Sequence, residues 1–342
     1  MNQQALTALL QRLDSAFGPS GFEEDIGLIF AEEMSGWCDE HRTDKLGSHL
    51  FWRKGEADAP VILLTADMDE PGFMLSSITS SGTLLLLPIG PPAPQPLQNQ
   101  DYTLYTSQGM LPAVCGPQPA GQELPNGPLL ALDVGARSRR AAENRGIAIG
   151  DPAVSSRRGE SIGKSLFSGR SMAARSGCAA LICTMRLLKR AAAPANIVAC
   201  AAVQGRLGKR GMLAAAQALS PQLVLSFGAA GSGAPLLQPS SRLGEGPVIR
   251  AYGGMLPGNL LPRFLRCRLE AAARLHHIPW QLEVTAPSAA AGGPPPAGLS
   301  VPVVEIGIPC RYENTPVCLV DTGDILNAAR LAAAFLEAPE AL

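Results

Sequence analysis

Charge is scarce in this chain. Asp, Glu, Lys and Arg make up only 17% of its 342 residues, and the net charge is −1. Such a surface offers no basic footprint for nucleic acid and no acidic tail. No run approaches the roughly 20 consecutive apolar residues of a membrane span. The opening Met1–Arg12 segment reads as an amphipathic helix and lacks the charged start and apolar core of a signal peptide. The eight cysteines, at 38, 115, 178, 183, 200, 267, 310 and 318, form no Cys-x-x-Cys, which argues against a disulfide framework or a zinc knuckle. These absences predict a soluble, cytoplasmic protein with neither nucleic acid nor membrane as its partner.

Apolar residues are abundant, at 46%. With so few charges, part of that apolar surface is expected to lie between subunits. The chain is long enough for more than one domain. Its most informative stretch is Val61-Ile-Leu-Leu-Thr-Ala-Asp-Met-Asp-Glu-Pro-Gly-Phe-Met74. Val61 to Leu64 reads as a buried strand of a parallel sheet. The run ends in three carboxylates, Asp67, Asp69 and Glu70, where open α/β sheets gather their ligands. An isolated Asp-x-Asp is more often a solvated turn.

Taken in order, residues 3–16 predict a helix that Gly18-Pro19-Ser20-Gly21 stops. Ser20 is placed to cap a second helix, with Glu23, Glu24 and Asp25 in its first turn and Ile26, Ile29, Phe30 and Met34 on one face. Strands follow at Leu50–Trp52 and Val61–Ala66. From Phe73 to Ile162 short β-like runs alternate with glycine and proline, and ten prolines between 88 and 128 forbid a long helix. This predicts an all-β module inserted in an α/β domain; its pairs Arg139-Arg140 and Arg157-Arg158 read as a solvated face. The α/β rhythm returns with helices at 178–190, 211–219, 260–275 and 324–336 and strands at 195–203, 223–227, 280–284 and 301–308. Residues 286–299 are low-complexity and read as a mobile loop. The glycines at 228–233 follow a strand but lack a phosphate loop's lysine. His276-His277 closes a helix, where cations suit the dipole. Cys178 and Cys310 lie in apolar segments and read as buried and inert.

Several segments together resemble one family, the co-catalytic metallo-aminopeptidases that include glutamyl aminopeptidase and the tetrahedral, endoglucanase-like aminopeptidases. They are Ala16–Glu24, Arg42–Gly47, Ala66–Met74, Leu132–Ala136, Gly146–Val154, Arg175–Ala179 and Ile308–Tyr312, in family order across nearly the whole chain. The resemblance implies a three-layer α/β/α aminopeptidase-like domain (residues 1–72 and 163–342). Residues 73–162 would be an inserted β-barrel-like dimerisation module.

The family's chemistry uses two adjacent divalent metals and a glutamate general base. By the resemblance, nearly every residue that would hold them is replaced here. Asp67 stands for the first histidine ligand, and Asp69, the residue that orients it, remains. The bridging aspartate falls at Ala173-Ala174, and the general base and neighbouring ligand at Gly205 and Arg206. A further aspartate aligns with Gly228 and the last histidine with Asn314. Glu70 completes the degenerate cleft. Loss of a general base alone removes a factor of roughly 10²–10⁴. The expectation is therefore a pseudoenzyme with no catalytic residue and no cofactor, Asp67 and Asp69 being residual metal candidates. It would act as a homo-oligomeric scaffold, as a regulatory subunit (alone or in a hetero-oligomer with an active relative), or as a peptide or small-ligand binder. The alternative is a divergent metal-dependent aminopeptidase using zinc or cobalt in a rearranged or single-metal site. Alanine and glycine at 173, 174, 205 and 228 would remove repulsion among carboxylates, and Arg206 is expected to bring a guanidinium to Asp67 and Asp69.

Overall fold

The computed structural model describes residues 1–56, 58–91, 98–117, 130–188, 195–231, 241–254, 259–285 and 299–337. The low-complexity segment 286–298 and the prolines at 92, 94, 96, 119, 125 and 128 lie outside those residues.

Two sheets organise the chain. The larger has eleven strands, and four of them form its parallel centre: Asn196–Ala202, Val61–Asp67, Leu223–Gly231 and Val303–Arg311. Val61–Asp67 is buried through five consecutive residues. That is the continuous apolar run expected when helices cover both faces. Antiparallel pairs complete the edges, with Glu40–Thr43 and His49–Arg53 on one side and Cys318–Asp321, Leu166–Gly169 and Glu160–Ile162 on the other. The Val248–Tyr252 and Gln281–Val284 strands branch from Val303–Arg311.

The Met172–Leu187 helix is the centrepiece of one helical layer. Its residues from Arg175 to Met185 are buried without interruption, so it is enclosed on all sides. Small residues recur in that run, and a side chain on Gly177 would crowd Phe227 of the sheet. Gln3–Ser15, Glu24–Met34 and Thr322–Glu337 contribute to the same core. Arg210–Leu219 covers the other face, with Met212, Ala215 and Ala216 packed beside Leu63, Val198 and Val224.

The smaller sheet has six antiparallel strands ordered Gly109–Cys115, Gln100–Thr106, Pro152–Ser155, Gly72–Ile78, Leu84–Ile89 and Leu130–Leu132. Its ends meet. Val114 and Asp133 exchange backbone hydrogen bonds of 2.9 and 2.8 Å, which curls the sheet into a small barrel around Phe73, Leu86, Tyr102 and Leu104. A short helix, Arg139–Glu143, accompanies it, and Glu160–Ile162 pairs into the larger sheet instead.

Several elements run beyond their predicted ends. The central helix begins at Met172, ahead of Cys178, and the Leu223 strand continues to Gly231. Ser20 does not cap the second helix, whose N-cap residue Glu23 makes no side-chain cap bond. The Ser20 hydroxyl donates to Asp69 instead, because a buried carboxylate is the stronger acceptor.

Candidate functional site

The four parallel strands release their chains at one edge, and three of the exits build a cleft. Asp67 ends Val61–Asp67, and Gln204–Lys209 follows Asn196–Ala202. Tyr312–Asn314 follows Val303–Arg311. Register places Asp67 directly beside Ala202, so the first two exits are adjacent. This is the edge where parallel α/β sheets position ligands.

Two carboxylates fix the second exit. Asp69 accepts from the Gly205 amide at 3.1 Å and the Arg206 amide at 2.9 Å, as well as from Ser20. Glu23 accepts from the Gln204 amide at 2.7 Å and the Gly21 amide at 2.8 Å. Three consecutive amides are thus held by side chains from distant sequence. Gln204 and Lys209 bracket the turn with left-handed backbones, φ 55° and 59°, conformations that cost of order 1–3 kcal/mol in a non-glycine residue and persist where surroundings over-determine them. Burial raises both carboxyls. Glu23 is pushed up to about 7. Asp69 also rises, with burial aided by the Asp67 charge and opposed by the Ser20 hydrogen bond.

Lys209 meets Asp67. Its ammonium donates to the Asp67 carboxylate, and 13% and 16% of the two side chains are exposed. Burial lowers the lysine pKa, but the carboxylate overcomes that and holds it above its ordinary value. Gly205 makes room for the pair, since a Cβ there would collide with the Asp67 carboxyl. Arg206 makes no direct side-chain bond to either aspartate. Its guanidinium donates to Asn314 Oδ1 at 2.8 Å and to the Pro91 carbonyl at 3.1 Å, while only its backbone amide bonds Asp69. The guanidinium still lies within electrostatic reach of Asp69 and Asp67, but the direct ion pair with Asp67 belongs to Lys209, which the sequence did not single out. Lys209 lies past the matched Gln-Gly-Arg segment, and a left-handed turn brings it back. Its one visible signal was a basic residue close behind the altered triplet.

The remaining degenerate positions separate. Arg206 and Asn314, which the resemblance aligns with two family ligands, touch each other. Ala173 and Ala174 lie in the first turn of the central helix, both partly buried. Gly228 is buried in mid-strand opposite Gly307. Glu70 leaves the cleft for a buried ion cluster, where Arg170 Nε donates at 2.7 Å, Arg175 Nη2 at 3.4 Å and the Gly18 amide at 3.1 Å. Cys178 and Cys310 are buried as expected, and burial pushes the Cys178 thiol up to about 12.

A family model described as M42 glutamyl aminopeptidase matches residues 47–331. A lysyl aminopeptidase of Pyrococcus furiosus is 29% identical over 96% of each chain. The solved structure of aminopeptidase APDkam598 from the archaeon Desulfurococcus kamchatkensis superposes with a TM-score of 0.89 at 30% identity, covering 98% of this chain and 95% of that one. The Pyrococcus horikoshii TET1 peptidase, described as assembling into a tetrahedron or a large octahedral shell, shares the fold with a TM-score of 0.82 at 23% identity, covering 96% and 98%.

These matches correct one expectation. The sequence reading anticipates no cofactor, whereas the matched family is one of metal-dependent aminopeptidases. The relatives' names also favour the peptidase alternative over the pseudoenzyme. The donor set here nevertheless does not fit the dinuclear centre that the resemblance implies. Among the described residues, no group of three or more His, Cys, Asp or Glu side chains is placed to hold a metal ion, and Asp67 is already engaged by Lys209.

Proposed function

This chain belongs to the M42 glutamyl aminopeptidase family, and on that premise we propose that its cleft receives the amino-terminal end of peptides. The reading favoured by the geometry is peptide binding without the family's own hydrolytic apparatus. One observation carries it: Lys209 is seated on Asp67, with Gly205 packed against them, the position that the resemblance aligns with the family's glutamate. The cleft's charges are fixed by internal partners. A ligand would be oriented by Asp67, Arg206 and Asn314, with Asp69 holding the turn that carries Arg206.

A second reading is supported by the relatives, which carry aminopeptidase names across nearly the full length of this chain. In it the protein is a divergent aminopeptidase whose zinc or cobalt sits in a rearranged site. One experiment separates the two. Binding of a fluorescent leucine-first peptide and release of its first residue are followed in the same sample, with added zinc or cobalt and then with chelator. Binding without release in either condition supports the first reading. Release that follows the metal overturns it in favour of the second, and no binding at all removes both.

We also propose that the chain self-associates through residues 73–162. Met74 and Leu87 are cross-strand partners, as are Tyr105 and Met110. All four are exposed on the side of the barrel away from its core. An apolar face of that kind on so weakly charged a protein fits a second copy. All eight cysteines are free, in keeping with a reducing, cytoplasmic setting. Among the described residues no helix is long and apolar enough to cross a membrane.

A further inference from the structure

Glu313 follows the Val303–Arg311 strand, between two left-handed non-glycine residues, Tyr312 at φ 57° and Asn314 at φ 60°. Its carboxyl approaches the end of the neighbouring strand, since a Cβ on Gly231 would lie 3.3 Å from Glu313 Oε2. Three cations lie within electrostatic reach: Arg250, Arg206 and Lys209. Each is engaged elsewhere. Arg250 holds Glu283 at 2.8 Å and Glu305 at 3.2 Å. Lys209 holds Asp67, and Arg206 donates to Asn314 and Pro91. Among the described residues, no hydrogen bond or ion pair reaches the Glu313 carboxylate itself, and the residue is exposed.

Across this region the three cations Arg206, Lys209 and Arg250 meet five carboxylates, Asp67, Asp69, Glu283, Glu305 and Glu313. Asp69 is satisfied by three donors, and Glu283 and Glu305 share Arg250. The carboxylate left over is the one that faces outward. A ligand that brings a cationic donor would supply what the protein does not.

Resting on the peptide-binding reading above, we infer that Glu313 is the cleft's recognition carboxylate for an ammonium group of the ligand. The ammonium has two sources in a peptide, the free α-amine and a lysine side chain. Binding is measured by anisotropy for a leucine-first peptide with a free amine, the same peptide N-acetylated, and an N-acetylated lysine-first peptide. L-lysine amide serves as a small competitor, with calorimetry as its direct readout. In the wild type, a free ammonium strengthens binding about tenfold over the acetylated leucine peptide, and Glu313→Gln abolishes that gain while leaving the acetylated leucine peptide unchanged. A gain confined to the free-amine peptide assigns the α-amine, and one confined to the lysine peptide assigns the side chain. If no peptide binds but lysine amide binds the wild type and not Glu313→Gln, the peptide reading fails and the role of Glu313 stands. Equal affinities in wild type and variant overturn the inference, as does failure of both peptide and amine to bind the wild type. Glu313 is exposed, so the variant keeps the wild-type melting temperature.

Discussion

The Lys209 ammonium rests on the Asp67 carboxylate at the edge of the parallel sheet, with five-sixths or more of each side chain out of solvent. Removing one partner of such a pair leaves an uncompensated charge, whereas neutralising both does not. Lys209→Met is therefore expected to lower the unfolding free energy by about 3 kcal/mol. The double change Lys209→Met with Asp67→Asn should recover most of that loss. Urea unfolding of the wild type, both single variants and the double variant reads the effects, and an additive double variant would show that the residues do not act as a pair.

Gly205 lets Asp67 take its position. Its backbone is not in the left-handed region, so alanine is barred there by contact alone. Gly205→Ala should cost about 1–3 kcal/mol, the range for overpacking a filled site. Gly208 offers the contrast. Nothing lies near its absent Cβ, but its φ is 86°, so Gly208→Ala costs about 1 kcal/mol through conformation. Crystal structures of both variants would show a displaced Asp67 only in the first.

Glu23 gives the fold a pH dependence. Its carboxyl is pushed up to about 7 from an ordinary 4.5. Between those values the folded chain keeps a proton that the unfolded chain has released. The stabilisation is complete below about pH 4.5 and is lost as pH rises through 7. Glu23→Gln keeps an acceptor for the Gln204 amide and cannot titrate. Its unfolding free energy should fall less between pH 5 and 8 than the wild type's, by on the order of 2–3 kcal/mol. An equal fall in unfolding free energy for wild type and variant, read from urea titrations at the two pH values, would refute the assignment.

Glu70 is a structural anchor, enclosed by arginines away from the strand ends. At 1% exposure it accepts from two arginines. Glu70→Gln should destabilise the chain by about 3–5 kcal/mol while leaving peptide affinity, measured well below the melting temperature, within twofold of wild type.

Much of the fold was legible in the sequence. Val61–Leu64 announced a buried strand because covered parallel strands carry no polar alternation, and proline density marked the barrel segment. The short strands Glu40–Thr43, Gly109–Cys115 and Leu166–Gly169 were not legible, since their pairing is decided by neighbours and not by local pattern. Of the cleft, the strand-end aspartates and the altered family positions were readable one by one. Their partners were not. Ser20 looks like a helix cap until Asp69 is placed beside it, and Glu70 looks like a cleft residue until Arg170 and Arg175 enclose it. Lys209 could be found only once the turn from Gln204 to Lys209 had a shape.

That turn is held by its main chain. The amides of Gln204, Gly205 and Arg206 are gripped by Glu23 and Asp69, which stand 181 and 136 residues earlier. A side-chain substitution at those three positions, proline aside, deletes none of these bonds. Where the turn sits is thus written at Glu23 and Asp69, and what it presents is written at 204–206. Apart from Gly205, whose missing side chain Asp67 requires, the chemistry presented at this edge can change without the edge itself being rebuilt.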